Sequence, residues 1–482
     1  MTTHRKIATH LKRPLVIGML AATLMGCAKF SSDAGMNPVA ERAGGVLGKD
    51  VVKIRSEDDA AAAKARARQI LTGKLTADSA VQVALLNNRG LQAEYNDLGL
   101  SEAAFVEAGL PPNPIISLER VVTTGELEIE RRIVADLLSL ATLPKRREIA
   151  RTQFEAAKER AIEATFRTAA ETRRAYYRAI AARQTVTFLE RARLSADAAA
   201  DLTRKLGETG ASNKLEQARA SAFYAEISNE LARARLQAGT EREALTRMLG
   251  LWGNDINYKL PAELPPLRGI RSAQQVEVDA VRKRVDLIAA RLELDAMAKS
   301  LGLTQSTRFI SMLDGGLISN YERAKEDGET ERAHPKGFEL EVQIPIFDFG
   351  ETKVRRARET YMQAVNRLLE KAVNVRSEAR AAYLTYRASH DIARQYQNRI
   401  LPLRKTVNEE ALLRYNGMLI DVFELLTTVR ESIDSNIAAI AARRDFLIAS
   451  VDFQTAIVGG GQSSGEGGEA PSAGAVAEAG GH

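Results

Sequence analysis

The stretch that decides the fold runs from Phe338 to Phe347 and reads Phe-Glu-Leu-Glu-Val-Gln-Ile-Pro-Ile-Phe. Bulky apolar side chains occupy every second position, with glutamates and a glutamine at most of the positions between them. A period of two predicts a β-strand with one apolar and one polar face. The two faces of this strand therefore meet different solvents.

The apolar face of this strand needs a cover. A soluble sandwich would supply a second sheet, but each half of the chain offers only one β-hairpin. Lipid outside and water inside a closed barrel would satisfy both faces, and closure removes the unpaired edges that hydrocarbon does not tolerate. The sequence thus predicts a contribution to a membrane β-barrel.

Four strands are predicted in the chain. The strand that pairs with Phe338 to Phe347 is expected at Arg308 to Ile318, and the charged loop Ser319 to Lys336 joins the two strands. The equivalent pair, Ile115 to Val122 and Leu127 to Ala135, flanks the turn Thr124-Gly125-Glu126. Because a membrane barrel needs at least about eight strands, the chain must oligomerise, and a trimer with twelve strands is one natural solution.

Arg131 disturbs the pattern of the first hairpin. It lies on the same face as Leu127, Ile129 and Ile133. The arginine either snorkels to an interface or marks a β-bulge, and the sequence leaves both readings open.

Two very long helices are predicted at Lys145 to about Leu206 and at Glu351 to about Arg414. Each has about sixty residues, which corresponds to roughly 90 Å at 1.5 Å per residue. The second helix carries a heptad repeat typical of coiled-coil packing, formed by Val354, Tyr361, Leu368, Val375 and Ala382. The chain is expected to turn near Gly210 and Gly417 and to return as antiparallel helices over Asn213 to Gly250 and Asp421 to Val458.

The two halves of the chain resemble each other, which predicts an internal duplication. Ala84 to Leu98 lies over Ala280 to Leu294 at a shift of 196 residues, and the tip glycines Gly210 and Gly417 differ by 207. The two shifts differ by about ten residues, and loops in the hairpin region accommodate insertions of this size at little free-energy cost. We expect a first repeat over residues 75–260 and a second over residues 261–458.

The N-terminus has the pattern of a secretory signal. Four basic residues precede the apolar run Pro14 to Met25, which is too short to span a bilayer comfortably. Removal of residues 1–26 would lower the formal charge from +6 to about +2, so basic charge argues only weakly for nucleic acid. Residues 27–74 are expected to form a tether with a short helix, and residues 459–482 a disordered Gly/Ser-rich tail.

Cys27 is the single cysteine of the chain and directly follows Leu24-Met25-Gly26. This arrangement resembles a bacterial lipobox, which implies cleavage before Cys27, thioether attachment of diacylglycerol and N-acylation. Ala28 follows Cys27, and a residue other than aspartate there resembles the signal for export to the outer membrane.

Two further motifs complete a family resemblance. Leu110-Pro111-Pro112-Asn113-Pro114 precedes the first strand, and Pro345-Ile346-Phe347-Asp348-Phe349-Gly350 opens the second long helix. Together with the duplication and the lipobox, they resemble the TolC-like outer-membrane efflux channel family over residues of about 75 to 458. The resemblance implies a homotrimer with a twelve-stranded barrel and a periplasmic α-helical tunnel. It also implies passive exit of substrates driven by an inner-membrane pump through a periplasmic adaptor, without catalysis or a cofactor.

The tip of the second half carries candidate pore residues. Asp421 and Glu424 are three residues apart and share a helix face, so threefold symmetry would stack two rings of three carboxylates. Such rings at a constriction favour cations, and the spacing matches the acidic pair at the family's periplasmic entrance. Solvated surface acids are the alternative reading.

The same tip carries candidate gate residues. Tyr415 matches the family's tip tyrosine, which holds neighbouring helices closed, although a packing role is equally open. The basic partner sometimes found after the tip glycine Gly417 is absent, because Met418 and Leu419 stand there. Arg414 is the candidate that could hold the closed state instead.

Other classes of function fit the sequence less well. The histidines are scattered, no two of them at ligand spacing, so no metal site is predicted; they are His4, His10, His334, His390 and His482. A periplasmic coiled-coil lipoprotein that acts as a tether or scaffold would explain Cys27 and the heptads, but not the strand at Phe338 to Phe347. A periplasmic adaptor would carry one helical hairpin rather than two in tandem.

Overall fold

The computed structural model describes residues 30–124, 126–270, 275–326 and 329–461. The predicted signal and Cys27 lie outside the described residues, as do residues 462–482 of the predicted tail. The chain divides into two compact units. Unit 1 comprises Gln92–Ile162, Val285–Asn374 and the described part of Met1–Arg42; unit 2 comprises Ala43–Leu91, Glu163–Arg284 and the described part of Val375–His482.

Most of the described chain is α-helical. The helices in chain order are α1 (Met36–Leu47), α2 (Glu57–Leu71), α3 (Ala77–Asn87), α4 (Arg89–Ala108), α5 (Leu137–Glu208), α6 (Lys214–Met248), α7 (Val276–Lys283), α8 (Val285–Ser306), α9 (Glu351–Gln395), α10 (Leu401–Asn416) and α11 (Val422–Val458). Within the described ranges, none of them is long and apolar enough to cross a membrane.

The first long helix begins earlier than predicted. It starts at Leu137 rather than Lys145 and contains Pro144. Asp136 explains the early start, because its carboxylate accepts a hydrogen bond from the Ser139 backbone N–H at 2.7 Å, as an N-cap does. A proline removes one backbone hydrogen bond, and the rest of the 72-residue helix tolerates that loss.

The second long helix is not uniform. Glu351 to Arg414 was predicted as one helix, but a π-helical turn over Tyr396–Ile400 separates α9 from α10. Pro402 lies two residues after this turn and has no N–H to donate. The wider turn accommodates the proline without ending the helical path. The predicted return helices are confirmed as α6 and α11, with Asn213 and Asp421 as their N-caps.

One antiparallel sheet lies within unit 1. Its strands are β1 (Ile115–Thr123), β2 (Glu126–Asp136), β3 (Met312–Glu326), β4 (Glu329–Ala333) and β5 (Lys336–Gln343). Strand β2 lies between β1 and β3, and both β4 and β5 pair with the other edge of β3. Asn320 donates its N–H to the Pro335 carbonyl at 2.9 Å between these two short strands, so β4 and β5 form one interrupted ribbon.

The first hairpin is confirmed and the second is corrected. Strand β3 begins at Met312 rather than Arg308, and the predicted charged loop Ser319 to Lys336 is largely strand. Pairing explains this, because β2 contacts β3 as far as Glu126↔Ala324 and extends the ladder through charged residues. Strand β5 ends at Gln343 instead of Phe347, since Pro345 cannot donate a ladder hydrogen bond.

The register around Arg131 is continuous. Strand β1 pairs with β2 without interruption from Ile115↔Val134 to Thr123↔Glu126, and Arg131 stands opposite Leu118. An inserted residue would break this sequence of pairs. The β-bulge reading of Arg131 is therefore wrong.

The core of unit 2 combines many small side chains with a few aromatic rings. Tyr386 stacks between Phe446 and Phe453, with ring centroids 5.5 and 5.2 Å away. The buried Tyr176 hydroxyl donates to the Leu75 carbonyl at 2.9 Å, and burial raises the pKa of this phenol. Gly460 is buried, and a Cβ there would lie 2.6 Å from the Arg167 backbone nitrogen, so the chain after α11 packs closely on α5.

Candidate functional site at the helical tips

The first tip joins α5 to α6 through a short, fully hydrogen-bonded turn. Gly210 has φ +77°, and Ala211 donates its N–H to the Leu206 carbonyl at 2.8 Å. The Asn213 side chain accepts from the Glu216 N–H at 2.9 Å, while the Glu216 carboxylate accepts from the Asn213 N–H at 3.1 Å. This capping box fixes where α6 begins.

The second tip repeats this turn, but a residue of a different type adopts the positive φ. Leu419 donates its N–H to the Arg414 carbonyl at 2.9 Å, as Ala211 does in the first tip. The residue with positive φ is Met418, at +58°, whereas Gly417 has φ −82°. The place of Gly210 is thus taken by Met418 and not by the neighbouring glycine.

The two predicted carboxylates lie at the start of α11. Asp421 is the N-cap of this helix and accepts a hydrogen bond from the Glu424 N–H at 2.8 Å. Both residues are exposed, and Glu424 lies in the first helical turn, where the helix dipole favours negative charge. One Asp421 oxygen therefore has a structural task that the sequence analysis did not assign to it.

Tyr415 and Arg414 occupy different environments. Tyr415 is half-buried and packs against an apolar cluster that includes Phe223 of α6 and Leu426 of α11. The Arg414 side chain is exposed, although its carbonyl closes the tip turn. Packing accounts for the position of Tyr415 within one chain, and a role between chains stays a prediction.

Contacts between α6 and α11 hold the two helical hairpins together near the tips. The Arg219 guanidinium lies 4.5 Å from the centroid of the Phe423 ring, and Arg430 forms an ion pair with Glu226 at 2.6 Å. Burial raises the pKa of Glu230 on α6, and the nearby Asp434 carboxylate adds to this shift. The Arg219–Phe423 pair could not be predicted from the sequence, because a cation over a ring leaves no periodic signal.

The sheet carries the second candidate surface, an apolar row that crosses all of its ribbons. Ile116 pairs with Ile133, Ile133 with Leu317, and Leu317 with Phe338. Their exposed fractions are 74, 49, 67 and 83%, so none of the four is covered. We call these four residues the apolar row.

The opposite face of the sheet is mainly polar, with Ile115, Val121, Val134 and Ile318 as apolar exceptions. It carries Glu130, Glu341 and an ion pair in which Arg132 approaches Glu339 to 3.6 Å. Pairing thus gives the whole sheet the two-faced character that the sequence predicted for one strand. Next to the apolar row, Arg131 pairs with Leu118 and Ser319, and Ser319 pairs in turn with Lys336, so two basic residues lie beside it.

Comparison with known proteins places this geometry in a class. A scan against models of known protein families and a search of curated proteins find no match. Solved structures do match. The CmeC outer-membrane channel of Campylobacter jejuni has a TM-score of 0.68 at 17% identity, with 81% of this chain and 87% of that chain covered.

Two further neighbours agree. The outer-membrane protein VceC of Vibrio cholerae has a TM-score of 0.66 at 14% identity, covering 80% of this chain and 96% of that chain. The open state of the Neisseria gonorrhoeae MtrE outer-membrane channel has a TM-score of 0.61 at 15% identity, covering 79% and 88%. The chain therefore has the fold of the TolC-like outer-membrane channels.

Proposed function

We propose that this protein is the outer-membrane channel of a tripartite efflux or type I export system, a passive exit duct without enzymatic activity. The apolar row carries the proposal, because four large side chains on neighbouring strands would otherwise lie in water. Soluble monomers rarely leave such contiguous apolar surface uncovered. Lipid covers it if the sheet is part of a closed barrel.

A homotrimer supplies the missing strands. The four ribbons of one chain alternate in direction, so β1 and β5 at the two edges run antiparallel to each other. An edge β1 can then pair with β5 of the next copy, and three copies close a twelve-stranded barrel. The paired helical hairpins would form the periplasmic tunnel.

An internal duplication underlies this plan in our proposal. The break between α3 and α4 falls at Asn88, and the break between α7 and α8 falls at Arg284, 196 residues later. Asn88 donates its N–H to the Ala84 carbonyl and Arg284 to the Ala280 carbonyl, at 2.8 and 3.1 Å. Matching breaks at the predicted shift support two repeats, over residues 75–260 and 261–458.

The tips form the gate of the proposed channel. Asp421 and Glu424 from three copies would make the acidic rings at the periplasmic entrance, and Arg414 and Tyr415 would hold the closed state beside the turns at Gly210 and Gly417. The proposed partners are a periplasmic adaptor, an inner-membrane pump and outer-membrane lipid, with Cys27 as the acylated anchor. The channel names of the structural neighbours support this assignment.

Single-channel conductance in a planar bilayer tests the function. The informative variant is Asp421→Asn with Glu424→Gln, because asparagine keeps the cap of α11 while the charges are lost. We expect ohmic current in the wild type and a several-fold loss of cation over anion selectivity in the variant. Glu409→Gln with Glu410→Gln is the matched control, since these exposed acids lie about two helical turns from the tip.

The outcomes separate the proposals. Selectivity that falls in both variants alike would remove the acidic rings from the tip but leave the channel. A membrane that stays silent with well-folded, trimeric protein would contradict the channel itself and favour the scaffold lipoprotein.

A further inference from the structure

Unit 2 contains a cavity whose walls are rich in arginine. Its volume is about 490 Å³, within the range of small-molecule sites. Helices α5, α6, α9 and α11 contribute to the lining, together with Arg284 from the break between α7 and α8. Four arginines line it, against three carboxylates. The cavity is remote in sequence from both tips and has no part in the function proposed above.

Arg174 on α5 is the most informative of these arginines. Only 8% of the residue is exposed. Its Nε donates to the Asp452 carboxylate at 2.6 Å, and its Nη2 lies 3.5 Å from the Thr455 hydroxyl. The third nitrogen, Nη1, is buried and has no hydrogen-bond partner among the described residues. A buried donor without a hydrogen-bond partner is energetically unfavourable, so an acceptor at this position would stabilise the protein.

The remaining charges leave the lining net positive. Arg284 pairs with Glu378, and Arg174 pairs with Asp452, so two of the carboxylates are already engaged. Arg178 and Arg247 also line the cavity but are exposed, whereas Arg174 and Arg284 are buried. Two solvent-accessible cations therefore stand beside two buried ones.

We propose that this cavity binds a small oxoanion of the phosphate or sulfate class. Arginine presents several N–H donors in a rigid fork that suits the oxygens of such anions. In the proposed site Arg174 Nη1 donates the buried hydrogen bond, and Arg178 and Arg247 supply charge from the solvent side. The anion stabilises the junction of α5, α6, α9 and α11.

Isothermal titration calorimetry on the purified full-length protein in detergent tests the site. Inorganic phosphate, sulfate and glycerol 3-phosphate are titrated at constant ionic strength in chloride. We expect saturable binding of phosphate or sulfate in the wild type. Arg178→Ala with Arg247→Ala should weaken it at least tenfold, whereas Arg376→Ala with Arg394→Ala, which removes two exposed arginines outside the cavity, should leave it unchanged.

A second variant tests the buried donor. Arg174→Lys retains a cation for Asp452 but lacks Nη1, so it should also weaken binding while the circular dichroism spectrum stays that of the wild type. Tighter binding of glycerol 3-phosphate than of phosphate would identify a lipid headgroup as the source of the anion, and weaker binding a free ion. Absence of saturable heat with any of the three anions, or equal losses in the cavity and control variants, would overturn the proposal.

Discussion

At the residue scale, the two tips need one left-handed residue each, and they supply it with different chemistry. Gly210 has φ +77°, and no atom lies within 4 Å of the position that a Cβ would occupy there, so only its backbone conformation restricts substitution. Met418 adopts φ +58° in spite of its side chain. A left-handed conformation costs a non-glycine residue roughly 1–2 kcal/mol. The second tip therefore stores strain that the first tip avoids.

Substitutions at the three positions should consequently differ in sign. Gly210→Ala should lower the free energy of unfolding by about 1 kcal/mol, because it introduces this strain. Gly417→Ala should be neutral or raise it by up to about 1 kcal/mol, because φ is −82° and the nearest atom to the new Cβ is the Leu413 carbonyl oxygen at 3.4 Å. Thermal unfolding followed by circular dichroism compares the two.

Met418→Gly completes the set and should raise the melting temperature slightly. Equal effects of the two alanine substitutions would contradict the assignment of the left-handed position. The sequence located both turns and the starts of both return helices, at Asn213 and Asp421, but it did not assign the capping role that these two residues have. The sequence could not show whether Gly417 or Met418 adopts the left-handed conformation. That depends on which carbonyl of the last helical turn accepts a hydrogen bond from each backbone N–H.

At the scale of elements, pairing in the sheet extends the apolar and polar faces of one strand across neighbouring strands. Strand β5 shows its alternation in sequence, whereas the charged ends of β3 and β4 read as a loop. Backbone pairing with β2 overrides that local signal, because β2 supplies paired backbone groups to β3 as far as Ala324. The apolar row therefore became visible only through the register, which places Ile116 three ribbons away from Phe338.

The two faces of β5 predict opposite responses to an introduced charge. Phe338→Arg puts a cation into the apolar row and should destabilise the membrane-inserted state by about 2–4 kcal/mol if the row lies near the bilayer centre. Glu341→Arg puts the same side chain on the polar face of the same strand and should be tolerated. The measurement is the fraction of heat-resistant oligomer in outer-membrane extracts on unboiled gels.

Expression of both variants in the total cell lysate controls for degradation. Equal amounts of heat-resistant oligomer in the two variants would contradict lipid contact at the apolar row. The sequence also predicted the great length of the two long helices, but Asp136 as a cap and the π-helical turn before Pro402 depend on local hydrogen bonds. Those bonds leave no periodic trace.

At the scale of the molecule, the sheet of one chain has two edges that a closed barrel would have to pair. Its outer ribbons β1 and β5 leave edges whose backbone groups have no partner within the described sheet. Hydrocarbon tolerates such groups only when they are paired. The class of the fold was accessible from sequence because it depends on strand number and helix length. The path of the proposed pore is not, because the proposed rings of Asp421 and Glu424 would exist only between copies.

Edge pairing between copies makes the last prediction. Cysteine introduced at Glu339 on β5 shares the polar face with Ser117 and Glu119 on β1, and the native chain has only Cys27. We expect disulfides between copies to form on oxidation in one double variant of a scan along β1. The scan combines Glu339→Cys with Ser117→Cys, with Glu119→Cys, or with cysteine at the next β1 position on the same face. A closed ring would run as a covalent trimer on a non-reducing gel. Single variants can link only two copies and serve as controls, provided that Cys27 is replaced or acylated. A covalent ladder beyond the trimer would indicate open, head-to-tail growth, and monomer alone across the whole scan of β1 would contradict closure through this edge.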